Sequence, residues 1–100
     1  MTPKERKARF EAIAATGCVV CRLQHGINTE PHIHHALGIK YRAMGKKADD
    51  SKTYGLCHFH HQGQMGIHTM GLKAWEQVFY DQEFLLEYTE QLIKDYRGLH

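Results

Sequence analysis

Three cysteines and a histidine form two pairs with the same spacing, and together they could bind one zinc ion. Two residues separate Cys18 from Cys21, and two residues separate Cys57 from His60. Structural zinc takes four tetrahedral nitrogen or sulfur ligands, commonly from closely spaced pairs of this kind. The spacing therefore predicts a structural Zn²⁺ site of the Cys3His type.

Two alternatives stay open for these residues. His58 or His61, rather than His60, could be the fourth ligand, since all three lie close to Cys57 in the sequence. Alternatively, Cys57 is a buried free thiol and the first cysteine pair is a redox motif. A redox pair of that type belongs in a βαβ setting, which this sequence lacks, so zinc is the favoured interpretation.

A second group of histidines remains after the zinc ligands are assigned. The chain has nine histidines, most of them in its central part. On a strand, His32 and His34 would point to one face and His35 to the other. On a helix, the adjacent His60 and His61 would diverge by about 100 degrees. One member of each adjacent pair can therefore serve zinc or the fold while the other faces a second site.

The chain begins with helix signals. Thr2 is a suitable N-cap, Glu5 completes a capping box, and Gly17 is a typical helix terminator. We therefore expect an N-terminal helix over residues 1–17. The first cysteine pair follows as a tight knuckle, and the polar residues 22–31 indicate a loop.

Two strands and a short helix are expected in the centre of the chain. Residues 31–37 predict a strand ended by Gly38, and residues 53–56 predict a second strand. The loop between them is long for so small a domain, which is typical of a functional or mobile segment. A short helix should begin at His58. Residues 18–70 would then hold both groups of metal-binding residues.

Residues 71–100 predict a helical tail. Apolar side chains recur there at helical spacing after Asp81, a suitable N-cap. They are Leu85, Leu86, Leu92, Ile93 and Tyr96. We interpret this tail as packing, so that residues 1–100 form a single α+β domain. A core this small commonly needs a structural metal for stability.

The expected compartment is a reducing cytoplasm. Three cysteines cannot all pair as disulfides, and the first residues do not have the apolar pattern of a signal peptide. No apolar run reaches the roughly 18 residues that a membrane span needs. In a reducing compartment, a cysteine pair is more often metal-binding or catalytic than disulfide-bonded.

In their order along the chain, these motifs resemble the ββα-metal domain of HNH endonucleases. They are similar in particular to the phage RecA-dependent nuclease family, over residues 17–85. The matching motifs are Cys18-x2-Cys21, Ile33-His34-His35, Leu56-Cys57-x2-His60-His61-Gln62-Gly63 and Ile67-His68. The resemblance implies a small zinc-stapled HNH domain with flanking helices that cleaves DNA in a host cytoplasm. It also implies a recombinase filament as a partner, with a role in recombination.

The resemblance further implies a role for each histidine of the second group. His35 would be the general base that activates water, and His34 would bind a catalytic divalent metal. His61 would complete that metal site, and His68 would be a further ligand or a phosphate contact.

The asparagine of the HNH motif, which orients the general base, has no counterpart in this chain. Its position would fall near Lys52 or Thr53, and neither residue is asparagine. A backbone carbonyl or the Thr53 hydroxyl could orient the base instead.

These residue types suit phosphodiester hydrolysis independently of the family. A histidine, with an ordinary pKa of about 6.5, is neutral enough at physiological pH to take a proton from water. A divalent ion can act as a Lewis acid on the phosphate and stabilise the leaving group. Imidazole ligands favour Zn²⁺, Ni²⁺, Co²⁺ or Mn²⁺ over Mg²⁺, so the identity of the catalytic metal stays open.

Basic residues are concentrated in the first half of the chain. Residues 1–52 carry ten Lys and Arg against five Asp and Glu, although the net charge of the whole chain is only +2. Five of them lie in the loop between the predicted strands: Lys52 at its end and a group of four before it, Lys40, Arg42, Lys46 and Lys47. We expect these four to contact DNA phosphates. The alternative is an ordinary solvated surface.

The main alternative function is a non-catalytic zinc-binding module, either DNA-binding or an adaptor. It accounts for the cysteines but leaves His34, His35 and His68 without a purpose. A metal-dependent hydrolase of small substrates is a further alternative, but the sequence has no apolar pocket signature. Binding of two metals, only one of them needed for folding, would favour the nuclease.

Overall fold

Helices and a two-stranded sheet make up the computed structural model, which describes residues 1–43 and 45–99, and the expected α+β class is confirmed. The helices are α1 (Pro3–Thr16), α2 (Val19–His25), α3 (His58–His61), α4 (Ile67–Met70), α5 (Leu72–Val78) and α6 (Gln82–Leu99). The strands are β1 (His32–His35) and β2 (Thr53–Leu56). None of the described helices is long and apolar enough to cross a membrane.

Helix α1 begins and ends where its sequence signals lie. The Thr2 hydroxyl accepts a hydrogen bond from the Glu5 amide at 3.1 Å, and the Glu5 carboxylate accepts one from the Thr2 amide at 3.0 Å. This capping box satisfies two amides at the helix N-terminus. At the other end, Gly17 has a φ of 83°, which residues with a side chain rarely adopt. The predicted limits of this helix are confirmed.

The expectation of a loop over residues 22–31 is wrong for its first residues, which are helical because α2 continues to His25. The Cys18 sulfur caps this helix by accepting a hydrogen bond from the Cys21 amide at 3.5 Å. Gly26, with a φ of 65°, ends it. A helix of only seven residues is too short for its apolar periodicity to be recognised in the sequence.

Two other short elements differ from expectation. The first strand covers His32–His35 rather than residues 31–37. The segment around His68 forms the one-turn helix α4, an element that the sequence did not predict. Elements this short have limits that depend on tertiary contacts more than on local sequence, and the ends of an element are its least predictable part.

Strands β1 and β2 pair antiparallel, with His34 opposite Tyr54 and His35 opposite Thr53. All four residues of β2 are buried, whereas in β1 only His34 is. The side chains of β1 alternate between two faces, as in any strand. The sheet therefore brings His34 into the interior while its neighbours in β1 stay closer to the surface.

Two polar side chains tie the long helices to the sheet. The guanidinium of Arg9 in α1 donates to the hydroxyl and the carbonyl of Thr53, at 2.8 and 2.7 Å, and pairs with Glu90 of α6. At the start of α6, the Gln82 side chain bonds the backbone N–H and C=O of Leu37, each at 2.8 Å. These bonds fix the position of the two strands between α1 and α6.

A glycine in β2 lets the end of α1 lie directly on the sheet. A Cβ at Gly55 would lie 2.6 Å from the backbone oxygen of Gly17 and 3.1 Å from Cγ2 of Ile13. Because the first of these is a backbone atom, it cannot move without shifting the helix end. The cysteine pair that follows Gly17 is thereby held against β2.

Candidate metal centres

The four residues of the predicted Cys3His site lie together in the structure. The ligand atoms of Cys18, Cys21, Cys57 and His60 all lie within 4.8 Å of one another. The Cys21 and Cys57 sulfurs are 3.7 Å apart, and the three sulfurs lie 3.7, 3.6 and 3.2 Å from Nδ1 of His60. Zinc–sulfur bonds of about 2.3 Å place tetrahedral sulfurs about 3.8 Å apart. The group could therefore hold a metal ion such as zinc.

Two short helices present these ligands. Cys18 caps α2 and Cys57 caps α3, so each pair occupies the first turn of a helix. Residues three apart on a helix share a face, so the two members of each pair point the same way. Of the alternative fourth ligands, His58 is exposed and His61 belongs to a different group. His60 is the histidine that the fold brings to the cysteines.

The thiols and the imidazole of this Cys3His group differ in how the fold shifts their pKa. Burial raises the pKa of Cys18 to about 12. Burial also acts to raise the pKa of Cys57, but a hydrogen bond from the backbone of His60 and others from the neighbouring thiols hold it below its usual value. Burial lowers the pKa of His60, which keeps its ring neutral. A bound metal deprotonates the thiols it coordinates and so removes the cost of burying them as thiolates.

The predicted ligands of the second metal also converge. Ligand atoms of His34, His61 and His68 lie within 4.8 Å of one another. The Nε2 atoms of His61 and His68 are 3.1 Å apart, and the ring centroid of His34 lies 5.0 and 5.2 Å from theirs. Zinc–nitrogen bonds of 2.0–2.1 Å place tetrahedral nitrogens about 3.3 Å apart. This three-histidine group therefore has the spacing of a metal site.

The interior members of the three-histidine group are neutral, and one of them, His34, is incompletely bonded. His34 is 1% exposed, and its Nε2 has no hydrogen-bond partner among the described residues. A buried polar atom without a partner costs about 1–3 kcal/mol. Burial lowers the pKa of His34 to about 3 and that of His61 to about 4, and the neighbouring histidines act in the same direction. Neutral rings have a lone pair to offer a cation, and a cation would satisfy the unpaired nitrogen.

Close packing of α4 on α3 brings His68 to His61. Gly66 immediately precedes α4, and a Cβ there would lie 2.6 Å from the carbonyl carbon and oxygen of His61. These are backbone atoms, so a larger residue would push the two helices apart. On the other side of the three-histidine group, the ring of the buried Tyr54 meets the His34 ring edge-on, with the ring centroids 4.9 Å apart. Packing therefore orients the group from both sides.

His35 lies on the opposite face of β1, where it meets a carboxylate. Its Nε2 is 2.8 Å from Oδ1 of Asp50, and the other oxygen of Asp50 is 3.0 Å from Nε of Arg6. The bond with His35, and then the charge of Arg6, lowers the pKa of Asp50. A carboxylate accepts hydrogen bonds, so a neutral His35 donates from Nε2 and keeps a lone pair on Nδ1.

Asp50 is therefore the hydrogen-bond partner of His35, for which the sequence offered no orienting asparagine. The expectation that Thr53 could take this role is wrong, because its hydroxyl donates to the Asp50 carbonyl at 2.8 Å and accepts from Arg9. Among the described residues, the partner of the His35 ring is a side-chain carboxylate rather than the backbone carbonyl that we also considered. Asp49 and Asp50 are adjacent in this loop, but the contact of Asp50 with His35 depends on a loop path that the sequence does not specify.

The basic loop residues lie on the protein surface between β1 and β2. Arg42, Lys46 and Lys47 are exposed. Lys40 is exposed too, but its ammonium pairs with Glu83 of α6 at 3.1 Å, which raises the pKa of this lysine. Their contact with DNA stays a prediction.

One histidine beside the three-histidine group received no role from the sequence. His32 shares a face of β1 with His34, and its Nδ1 lies 2.9 Å from Nδ1 of His61. Strand alternation could have placed it on this face. Its contact with His61 could not be predicted, because it depends on where α3 packs.

We expect Cys21→Ser to abolish native folding, because it removes one of the four ligands that join α2 to α3. Structural zinc contributes on the order of 10 kcal/mol to folding in zinc-finger peptides. Circular dichroism and thermal melting measure the loss, and His58→Ala is the matched control, since His58 is exposed on α3 and lies outside both groups. A native spectrum and an unchanged melting temperature for Cys21→Ser would contradict a structural metal here.

No protein-family model, curated protein or solved structure matches this chain. The resemblance to HNH endonucleases therefore rests on the order of the motifs and stays a prediction. In the structure, the two sets of residues in those motifs converge into two separate groups.

Proposed function

We propose that the protein is a metal-dependent DNA endonuclease of the HNH type, with a zinc-stabilised ββα-metal core. The Cys3His group would hold the structural zinc, and the three-histidine group would hold a catalytic divalent ion. His35 would act as the general base. The proposal joins the motif resemblance to the geometry of the two groups.

The observation that carries the proposal is the contrast between the two groups. The Cys3His group has four protein ligands, as is typical of a structural zinc site. The three-histidine group has three, which is typical of a catalytic metal with one position left for water or substrate. Its member His68 is exposed, so this group is reached from the surface. A zinc-binding adaptor would need the first group but not the second.

In the proposed reaction, His35 takes a proton from water through Nδ1 while Asp50 holds the ring through Nε2. The water oxygen forms a bond to phosphorus as the bond from phosphorus to the leaving sugar oxygen breaks. The leaving oxygen takes a proton from solvent and His35 returns its proton to solvent, so one water molecule is consumed for each bond cut. A positioned general base typically contributes about 100- to 10,000-fold to the rate.

Asp50 would also stabilise the product of the proton transfer. Its carboxylate is charged and bonded to His35, so it favours the imidazolium that forms. Arg6 bonds the other carboxylate oxygen and limits the positions that Asp50 can take. A divalent ion bound by the three-histidine group would polarise the phosphoryl oxygens and stabilise charge on the leaving oxygen.

The roles of His35 and His61 can be separated by two variants. His35→Ala should lose DNA cleavage by about 100-fold or more, as expected for a general base, yet retain the second metal. His61→Ala should lose both cleavage and the second metal. Both should keep the wild-type melting temperature, since the Cys3His group is intact in each. Cleavage of plasmid and single-stranded DNA, metal content and melting temperature are measured on the same samples.

His25→Ala is the control for this pair, because His25 is exposed at the end of α2. Full cleavage by His35→Ala would show that His35 is not the base. If wild-type protein bound two metals and cut no DNA with any divalent ion, the zinc-binding adaptor would be the better description.

The basic loop makes a separate prediction about DNA binding. Replacing Lys46 and Lys47 by alanine should reduce the slope of log affinity against log salt by about 0.9 for each lost phosphate contact. These two are chosen because Lys40 already pairs with an acidic side chain. Alanine at Lys73 and Lys94, exposed on α5 and α6, removes the same charge elsewhere and should leave the slope closer to wild type. Equal slopes for the two double variants would place the DNA away from this loop.

A further inference from the structure

His61 is bonded through both of its ring nitrogens. Its Nε2 faces the other two members of the three-histidine group, 3.1 Å from Nε2 of His68. Its Nδ1 faces away from that group and lies 2.9 Å from Nδ1 of His32. The rings of His32 and His61 meet at a centroid distance of 5.1 Å and an interplanar angle of 67°. The contact is therefore a directed nitrogen–nitrogen hydrogen bond rather than stacking.

The direction of this hydrogen bond decides which nitrogen of His61 can bind a metal. A neutral imidazole has one protonated nitrogen and one lone pair. If Nδ1 carries the proton and donates it to His32, the lone pair stands on Nε2 and points into the three-histidine group. The opposite tautomer would direct an N–H into the group and exclude a cation. A ring that coordinates a cation through one nitrogen must have its lone pair there, so only the first tautomer is compatible with a loaded site.

The fold holds His32 in place to accept this proton. His32 pairs with Leu56 in the sheet and lies two residues before His34 on the same strand. The strand that places a ligand in the group thus also places His32 beside the next ligand. His58 is the other ring near His32, and it approaches edge-on with centroids 5.9 Å apart.

We propose that His32 is the positioning residue of the second metal site: its Nδ1 accepts the Nδ1 proton of His61 and so fixes Nε2 of His61 as the metal donor. Groups that hold a metal-binding histidine in this way change metal affinity about 10- to 100-fold when they are removed. The inference rests on the proposed metal site but not on the proposed cleavage of DNA.

The test is a cobalt titration of the zinc-loaded full chain, followed by the d–d absorbance of Co²⁺ bound to nitrogen ligands. His32→Leu fills the space of the imidazole ring but has no hydrogen-bond acceptor for His61. This variant should bind cobalt about 10- to 100-fold more weakly. His32→Asn places an acceptor oxygen close to the position of Nδ1 and should restore most of the affinity. His58→Ala is the control and should bind cobalt as wild type does. Thermal melting checks that each variant is folded.

Each outcome bears on the proposal. Cobalt affinity of His32→Leu equal to that of wild type would overturn it, and so would equal weakening in the Leu and Asn variants, which would indicate a packing role. Wild type that takes up no second metal would overturn both this inference and the proposed nuclease site. If the cobalt affinities of the variants follow the expected order but the protein cuts no DNA, the role of His32 is upheld and only the proposed function is contradicted.

Discussion

Helix α3 is a single turn long, and its two consecutive histidines belong to different groups. His60 lies with the cysteines and His61 lies with His34 and His68, so the position of one group determines that of the other. A one-turn helix has little stability of its own, because the first turn is the unfavourable step of helix formation. Contacts made by its side chains must therefore stabilise helix α3 in the folded protein. Metal ligation at the Cys3His group would therefore also set the place of His61 beside His34.

Strand β1 likewise separates two adjacent histidines. Alternation sends His34 into the three-histidine group and His35 to the other face, where Asp50 meets it. In the proposed nuclease, metal binding and proton transfer would thus belong to adjacent residues whose side chains do not compete for the same space. The strand can do this because Arg9 and Gln82 bind the sheet and its extension to the two long helices. The site is thus built on a sheet that hydrogen bonds join to both long helices.

The Cys3His group could be predicted from the spacing of its ligands, whereas the membership of the three-histidine group was implied by the motif resemblance. A two-residue spacing brings Cys18 and Cys21 to one helical turn, and alternation separates neighbouring histidines on a strand. The contacts of Asp50 with His35 and of His32 with His61 could not be predicted. They depend on the path of a long loop and on the packing of a one-turn helix, and neither leaves a periodic pattern. The extent of α2 could not be predicted either, because a helix of seven residues is too short to show an apolar period.

The central claim is that the chain has one closed metal site and one open site. Crystals of the zinc-loaded protein soaked in cobalt would test it most directly, with anomalous data collected at the zinc and cobalt absorption edges. The account predicts a zinc peak among the three cysteines and His60, and a cobalt peak bound by His34, His61 and His68 with a fourth position open to solvent. The absence of a cobalt peak at these histidines, or a fourth protein ligand that closes the site, would contradict it.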